Sequence, residues 1–168
     1  RKQLIDFDRA MARGHLAEDV ALFQERNKED LTHLVPRLEA VDPDDAFSSV
    51  PYEKGSGFLH YLEHRVGSDK FLIFFQSYLK AFAHSTITSR EFANYFQKHF
   101  PEEYASLDWE TWFFTPGNCP VEAPIDTTLV DQVKTLAAAS TQNSLSTIDN
   151  ETINSWPTDL KSFFLDTL

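Results

Sequence analysis

Apolar side chains in this chain return at steps of three and four, in runs stopped by proline or glycine. That period commits most of it to packed helices. Phe58, Leu59, Leu62 and Val66 mark one side of a helix that starts near Tyr52 and stops at Gly67 and Ser68. Phe71, Phe74, Phe75, Tyr78, Leu79 and Phe82 form the stripe of the next helix. Thr88 with Glu91 reads as a capping box opening a third, whose inward residues are Phe92, Tyr95, Phe96 and Phe100. Asp108 or Ser106 caps a short helix holding Trp109, Trp112 and Phe113, which Pro116 and Gly117 end.

The flanks carry the same signal less evenly. Leu4, Phe7 and Met11, then Leu16, Val20 and Phe23, fall into two sets with Gly14 between them, which predicts two short helices. Residues 31–41 contain Pro36 and an imperfect alternation, and are expected to form an extended edge segment. Asp42, Pro43, Asp44 and Asp45 make a turn, and a loop with Ser48 and Ser49 leads from it to Pro51. Three prolines without helical period over residues 115–126 describe a surface linker and a domain boundary. Beyond it Leu129, Val133 and Leu136 begin a helix, residues 141–154 are polar and weakly patterned, and Leu160, Phe163, Phe164 and Leu168 give a last amphipathic helix.

A length of 168 residues suits one domain or a section of a larger protein, and fifteen phenylalanines with only five glycines exclude disordered and collagen-like classes. The net charge of −11 repels phosphate backbones and anionic lipid, and no basic patch offsets it, so neither nucleic acid nor a membrane is expected as a partner. A lone Cys119 suits a reducing compartment, so a cytoplasmic location is expected. The absence of an initial Met and the apolar pattern running to Leu168 suggest a section of a longer chain.

Candidate chemistry is sparse. His60 and His64 share a helix face with Glu63 between them, which fits either two zinc ligands or a pair of partly exposed polar side chains; a third ligand at suitable distance is lacking. His15, His33, His84 and His99 are isolated in sequence, there is no nucleophile elbow or phosphate loop, and Cys119 reads as a small linker residue. At the mouth of the helix after Pro51, Tyr52 either points its hydroxyl into a cleft or serves packing. Gly55 and Gly57 each cost about 1 kcal/mol relative to alanine in a helix, so something is expected to pack closely on that turn.

The run Asp-Ala-Phe-Ser-Ser-Val-Pro-Tyr-Glu-Lys-Gly at residues 45–55 closely resembles the tyrosine-bearing segment of the leukotriene A-4 hydrolase and aminopeptidase B group of zinc-dependent gluzincin aminopeptidases. Asp-Pro-Asp at 42–44, Tyr-Leu-Glu at 61–63, Val-Gly at 66–67, residues 82–88, and Asp108 and Trp109 through Trp112 to Thr-Pro-Gly at 115–117 follow that group in the same order. The resemblance implies a mainly α chain: the helical second lobe of a thermolysin-like peptidase catalytic domain over residues 1–114, a linker over 115–127, and the opening of a C-terminal helical, armadillo- or HEAT-like domain over 128–168.

It also implies roles. Tyr52 matches the catalytic tyrosine, whose phenol stabilises the oxyanion as zinc-bound water attacks the peptide carbonyl. Asp44 matches an aspartate that helps place water for epoxide hydrolysis, and Phe47 stands where the epoxide hydrolase has a cavity-lining tyrosine. The group's His-Glu-x-x-His motif, its glutamate ligand and its Gly-x-x-x-Asn motif precede the tyrosine and do not occur here, so the ligands of the single zinc cofactor are expected upstream and no metal residue is assigned. The function the resemblance implies is part of a zinc aminopeptidase acting on peptides, with a lipid epoxide as a second candidate substrate, joined to the rest of its parent polypeptide and inactive alone. A non-catalytic helical scaffold retaining the lobe is the alternative.

Overall fold

The computed structural model describes residues 2–39, 41–142 and 150–168, and no strand occurs among them. The chain divides into two compact units, one formed by Arg1–Met11 with Ile125–Leu168 and the other by Ala12–Pro124.

A single helix, α1 (Lys2–Glu25), contributes residues to both units. Two short helices broken at Gly14 were expected, and the helix runs straight through it. Gly14 is exposed, and a glycine's cost of about 1 kcal/mol is too small to break a helix packed on both sides of it. The two apolar sets still separate, Phe7 and Met11 belonging to one core and Leu16, Val20 and Phe23 to another, while Leu4 of the first set is exposed.

In the unit of Ala12–Pro124, a 3-10 turn at Glu29–Thr32 follows α1. The expected extended edge segment at 31–41 is not a strand, since it has no sheet to join. It crosses a helical surface, with Leu34 and Val35 packed on the core and the Val35 amide donating to the Phe113 carbonyl at 3.0 Å. Next come α2 (Pro43–Ala46), α3 (Val50–Val66), α4 (Ser68–Ala81), α5 (Ser89–His99), α6 (Pro101–Ala105) and α7 (Trp109–Phe114). The capping box is present: the Thr88 hydroxyl accepts from the Glu91 amide at 3.2 Å, and the Glu91 carboxylate accepts from the Thr88 amide at 2.7 Å. Asp108 caps α7 by accepting the Thr111 amide at 3.0 Å.

The main core of this unit gathers Phe58, Leu62, Phe74, Phe96, Trp112 and neighbouring residues. Rings meet there mostly edge to face, as Phe74 and Phe96 do at 5.4 Å between centroids, an arrangement that suits their quadrupoles. The expected stripe of α4 is only partly inward. Phe74 alone among those six residues is buried, while Leu79, like Leu72 and Ile73, is largely exposed.

The other unit packs Phe7 with α8 (Thr128–Gln142), α9 (Asn150–Ser155) and α10 (Thr158–Thr167). In α8 the buried positions include Val130, Val133, Ala137 and Ser140, so Leu129 and Leu136 of the expected stripe lie at the margin of the core. Leu160 and Phe164 are buried as expected, whereas Leu168 is exposed. Most of the weakly patterned stretch 141–154 lies outside the described residues or side chains.

Candidate functional site

Of the three residues matched by motif, Asp44 lies on the short α2, Phe47 just past its end, and Tyr52 in the first turn of α3. Asp42 caps α2 by accepting the Asp44 amide at 2.9 Å, with Pro43 in the first turn where its missing N–H costs nothing. Asp44 is exposed on α2, and Phe47, the residue just after it, is 79% exposed. The chain then turns into α3 through Ser49, whose hydroxyl donates to the Asp19 carboxylate of α1. The Ser49 carbonyl accepts from the Tyr52 and Glu53 amides at 2.9 and 3.0 Å, which closes the first turn. Tyr52 is 70% exposed there, unlike Tyr61, Tyr95 and Tyr104, which pack against the core. The side chain is thus largely open to solvent and belongs to none of the cores.

Behind Tyr52 the helix is held tightly. Val50, Lys54, Phe58, Leu62 and Val66 recur every four residues, and all are buried. Lys54 is the unexpected member of that row. It is fully buried, and its ammonium donates to the carbonyls of Thr32 at 3.0 Å, Thr115 at 2.8 Å and Gly117 at 2.8 Å. Three carbonyls use up the three donors of an ammonium group, which offsets much of the cost of removing it from water. Two of the carbonyls lie just past the C-terminal end of α7, where orphan carbonyls and the negative end of the helix dipole favour a cation. Burial pulls the Lys54 pKa down to about 8, opposed by attraction to Cys119. That value still lies above neutrality, so the ammonium with its three donors is the form that the three carbonyls hold. Thr32, also fully buried, closes the network: its hydroxyl accepts the Gly117 amide at 2.7 Å and donates to the Glu29 carbonyl at 2.6 Å.

The expected close packing on the glycines is found at one of them. A Cβ at Gly57 would come within 2.7 Å of the Cys119 sulfur, while one at Gly55 would meet Leu34 at an ordinary 3.6 Å. Cys119 is thus more than a linker residue, since it packs against α3; burial pushes its thiol pKa up, opposite to a reactive cysteine. Gly57→Ala should lower stability by about 1–2 kcal/mol, as overpacking outweighs better helix propensity, and Cys119→Ala should restore it. Gly55→Ala should be neutral or stabilising by up to about 1 kcal/mol. Urea denaturation of Gly57→Ala, Gly57→Ala with Cys119→Ala, and Gly55→Ala tests this, and an undiminished Gly57→Ala protein would show that the contact yields freely.

Among the described residues, no three His, Cys, Asp or Glu side chains gather as metal ligands. His64 lies in the last turn of α3 beside Arg65, where positive charge suits the helix end, and His60 is half-buried one turn earlier. The zinc implied by the resemblance does not fit these residues. His15 approaches Glu53 at 4.0 Å, a contact across α1 and α3 that sequence spacing could not show.

Comparison with known proteins agrees with this arrangement. Residues 7–112 match the Peptidase family M1 domain. The chain is 41% identical over 114 residues to leucine aminopeptidase 2 of Neosartorya fischeri, covering 64% of this chain and 18% of that protein. It is 44% identical over 110 residues to leukotriene A-4 hydrolase of Xenopus laevis, covering 63% and 18%. The structure of native yeast LTA4 hydrolase superposes with a TM-score of 0.90 at 30% identity, over 99% of this chain and 28% of that one. The chain therefore spans about a fifth of the curated relatives it matches. With its tyrosine-bearing helix, mainly α architecture and match over most of its length, the chain belongs to peptidase family M1, in the leukotriene A-4 hydrolase group.

Proposed function

We propose that this chain is the tyrosine-bearing portion of a zinc-dependent aminopeptidase that removes N-terminal residues from peptides. The observation that carries the reading is Tyr52, largely exposed in the first turn of a helix whose opposite side is buried. The small share of the relatives that the chain spans supports placing the zinc and its ligands elsewhere in a longer polypeptide. Residues 1–114 then belong to the catalytic domain, 115–127 link, and 128–168 open a C-terminal helical domain. No helix of the described residues is long and apolar enough to cross a membrane, and a cytoplasmic location is part of the proposal.

In this reading the Tyr52 phenol donates a hydrogen bond to the oxygen of the scissile carbonyl as that oxygen gains charge. A donor aimed at charge present only in the transition state raises kcat without tightening substrate binding. Asp44 and Phe47, both exposed ahead of α3, line the substrate side. Phenylalanine at 47 supplies contact area but no hydroxyl, so the proposal favours peptides over a lipid epoxide, with Asp44 still available to direct water.

The complete polypeptide should hold zinc and hydrolyse aminoacyl anilides, and should form the dihydroxy acid from leukotriene A-4 weakly or with an altered product. Residues 1–168 alone should do none of these. A complete polypeptide without zinc and without aminopeptidase turnover would end the reading, and efficient epoxide hydrolysis would show the hydroxyl missing at Phe47 to be immaterial.

A further inference from the structure

Lys54 and Tyr52 are two residues apart on α3, hence about 200° apart around it, and their exposures of 0% and 70% place them on opposite sides. The first turn of a helix lacks intrahelical partners for its amides and is its weakest part. Here that turn also precedes two glycines, which weaken it further. The direction in which Tyr52 points is consequently set by what anchors the turn from behind. Val50, buried against Leu16 and Val20, and Ser49, bonded to Asp19, act on the chain before the tyrosine. Lys54 acts after it, tying α3 to the Thr32 carbonyl on one segment and to the Thr115 and Gly117 carbonyls on another. The Gly117 amide, bonded to the Thr32 hydroxyl, joins those two segments to each other.

We propose that Lys54 is a positioning residue for Tyr52: its ammonium, saturated by three backbone carbonyls, fixes the first turn of α3 so that the exposed phenol is held in one place. The inference rests on the reading of Tyr52 as oxyanion donor. Lys54 itself touches no substrate, being closed off behind the helix. A neutral side chain of similar length fills the space but releases the three carbonyls, leaving that of buried Thr32 without its donor and the turn free to shift. Misplacement of a catalytic donor by an ångström or less costs tens-fold in rate, so the effect belongs in kcat.

The experiment is a double-mutant cycle in the complete polypeptide, comparing the natural sequence, Lys54→Met, Tyr52→Phe and the double variant on an aminoacyl anilide. Circular dichroism and a thermal melt establish that each is folded at the assay temperature. Lys54→Met is expected to lower kcat by about ten- to a hundredfold with KM within about twofold. In the Tyr52→Phe background the same change should cost no more than about twofold, since the group it positions is gone. A kcat within twofold for Lys54→Met, or an equal loss in both backgrounds, overturns the proposal. If Tyr52→Phe alone leaves kcat unchanged, the reading of Tyr52 falls, and positioning through it falls too, whatever Lys54→Met does. Should Lys54→Met fail to fold, Thr32→Val loosens the same network more gently by removing the hydroxyl that accepts from Gly117. It is expected to lower kcat about threefold in the natural background and not at all beside Tyr52→Phe, and any other pattern counts against Lys54 as a positioning residue.

Discussion

Tyr52→Phe in the complete polypeptide is expected to lower kcat by about a hundredfold or more, with KM and bound zinc unchanged within about twofold. The size follows from what the loss of one oxyanion donor costs elsewhere, a hundred- to a thousandfold. The selectivity follows from the structure. The ring is 70% exposed and takes no part in the cores, so phenylalanine leaves folding intact and removes only the hydroxyl. A donor that engages only developing charge contributes nothing to the ground-state complex, hence the steady KM. Steady-state kinetics with a zinc measurement on the same preparation are sufficient, and an unaltered kcat would remove Tyr52 from the catalytic groups.

Phe74→Ala is expected to destabilise the chain by about 3–5 kcal/mol, the usual cost of emptying a buried phenylalanine site. The ring is 1% exposed and sits among Phe92, Tyr95, Phe96 and Phe100 at centroid distances of 6.2, 5.7, 5.4 and 5.5 Å. Aromatic neighbours are stiff, so the cavity collapses poorly. Leu79→Ala on the same helix is the control: that side chain is 55% exposed, and its loss should stay within about 0.5 kcal/mol. Urea denaturation followed by tryptophan fluorescence reads both, because Trp109 and Trp112 belong to this cluster. Equal destabilisation by the two variants would contradict the burial pattern of α4.

Local signals survived into the structure where the chemistry is local. The Thr88 and Glu91 box, the Asp108 cap and the stop at Gly67 each depend on a few neighbouring atoms, and each was legible from residue type and spacing. What depends on distant partners was not. Gly14 predicted a break because sequence shows its cost and not the packing on either side of it. Residues 31–41 alternate, yet alternation says nothing about whether a sheet exists to receive them. Lys54 stands in the motif, but its burial is not legible because lysine reads as a solvated side chain, although counting back by four from Phe58, Leu62 and Val66 lands on it and then on Val50. Its carbonyl partners lie 22, 61 and 63 residues away, a separation no local pattern encodes. The tyrosine at the mouth of α3 was visible through its motif, and the structure adds only its exposure and the fixed turn beneath it.

The course of α1 changes what a cut in the chain can do. Because Arg1–Met11 belongs with Ile125–Leu168 and the helix continues unbroken into the other unit, the two units are joined twice, once within α1 and once at Pro124 and Ile125. A protease that nicks the proline-containing stretch yields two separate polypeptides, and the later one stays attached only through the noncovalent packing of Phe7 and its neighbours with α8 and α10. The same topology means that a polypeptide starting after the nick leaves Phe7 behind. That ring is 1% exposed and stands edge-on to Phe163 at 5.6 Å, so the shorter piece would lose a filled position at the centre of its own hydrophobic cluster. Its integrity is thus written partly at the far end of the chain, about 120 residues before most of its own sequence begins.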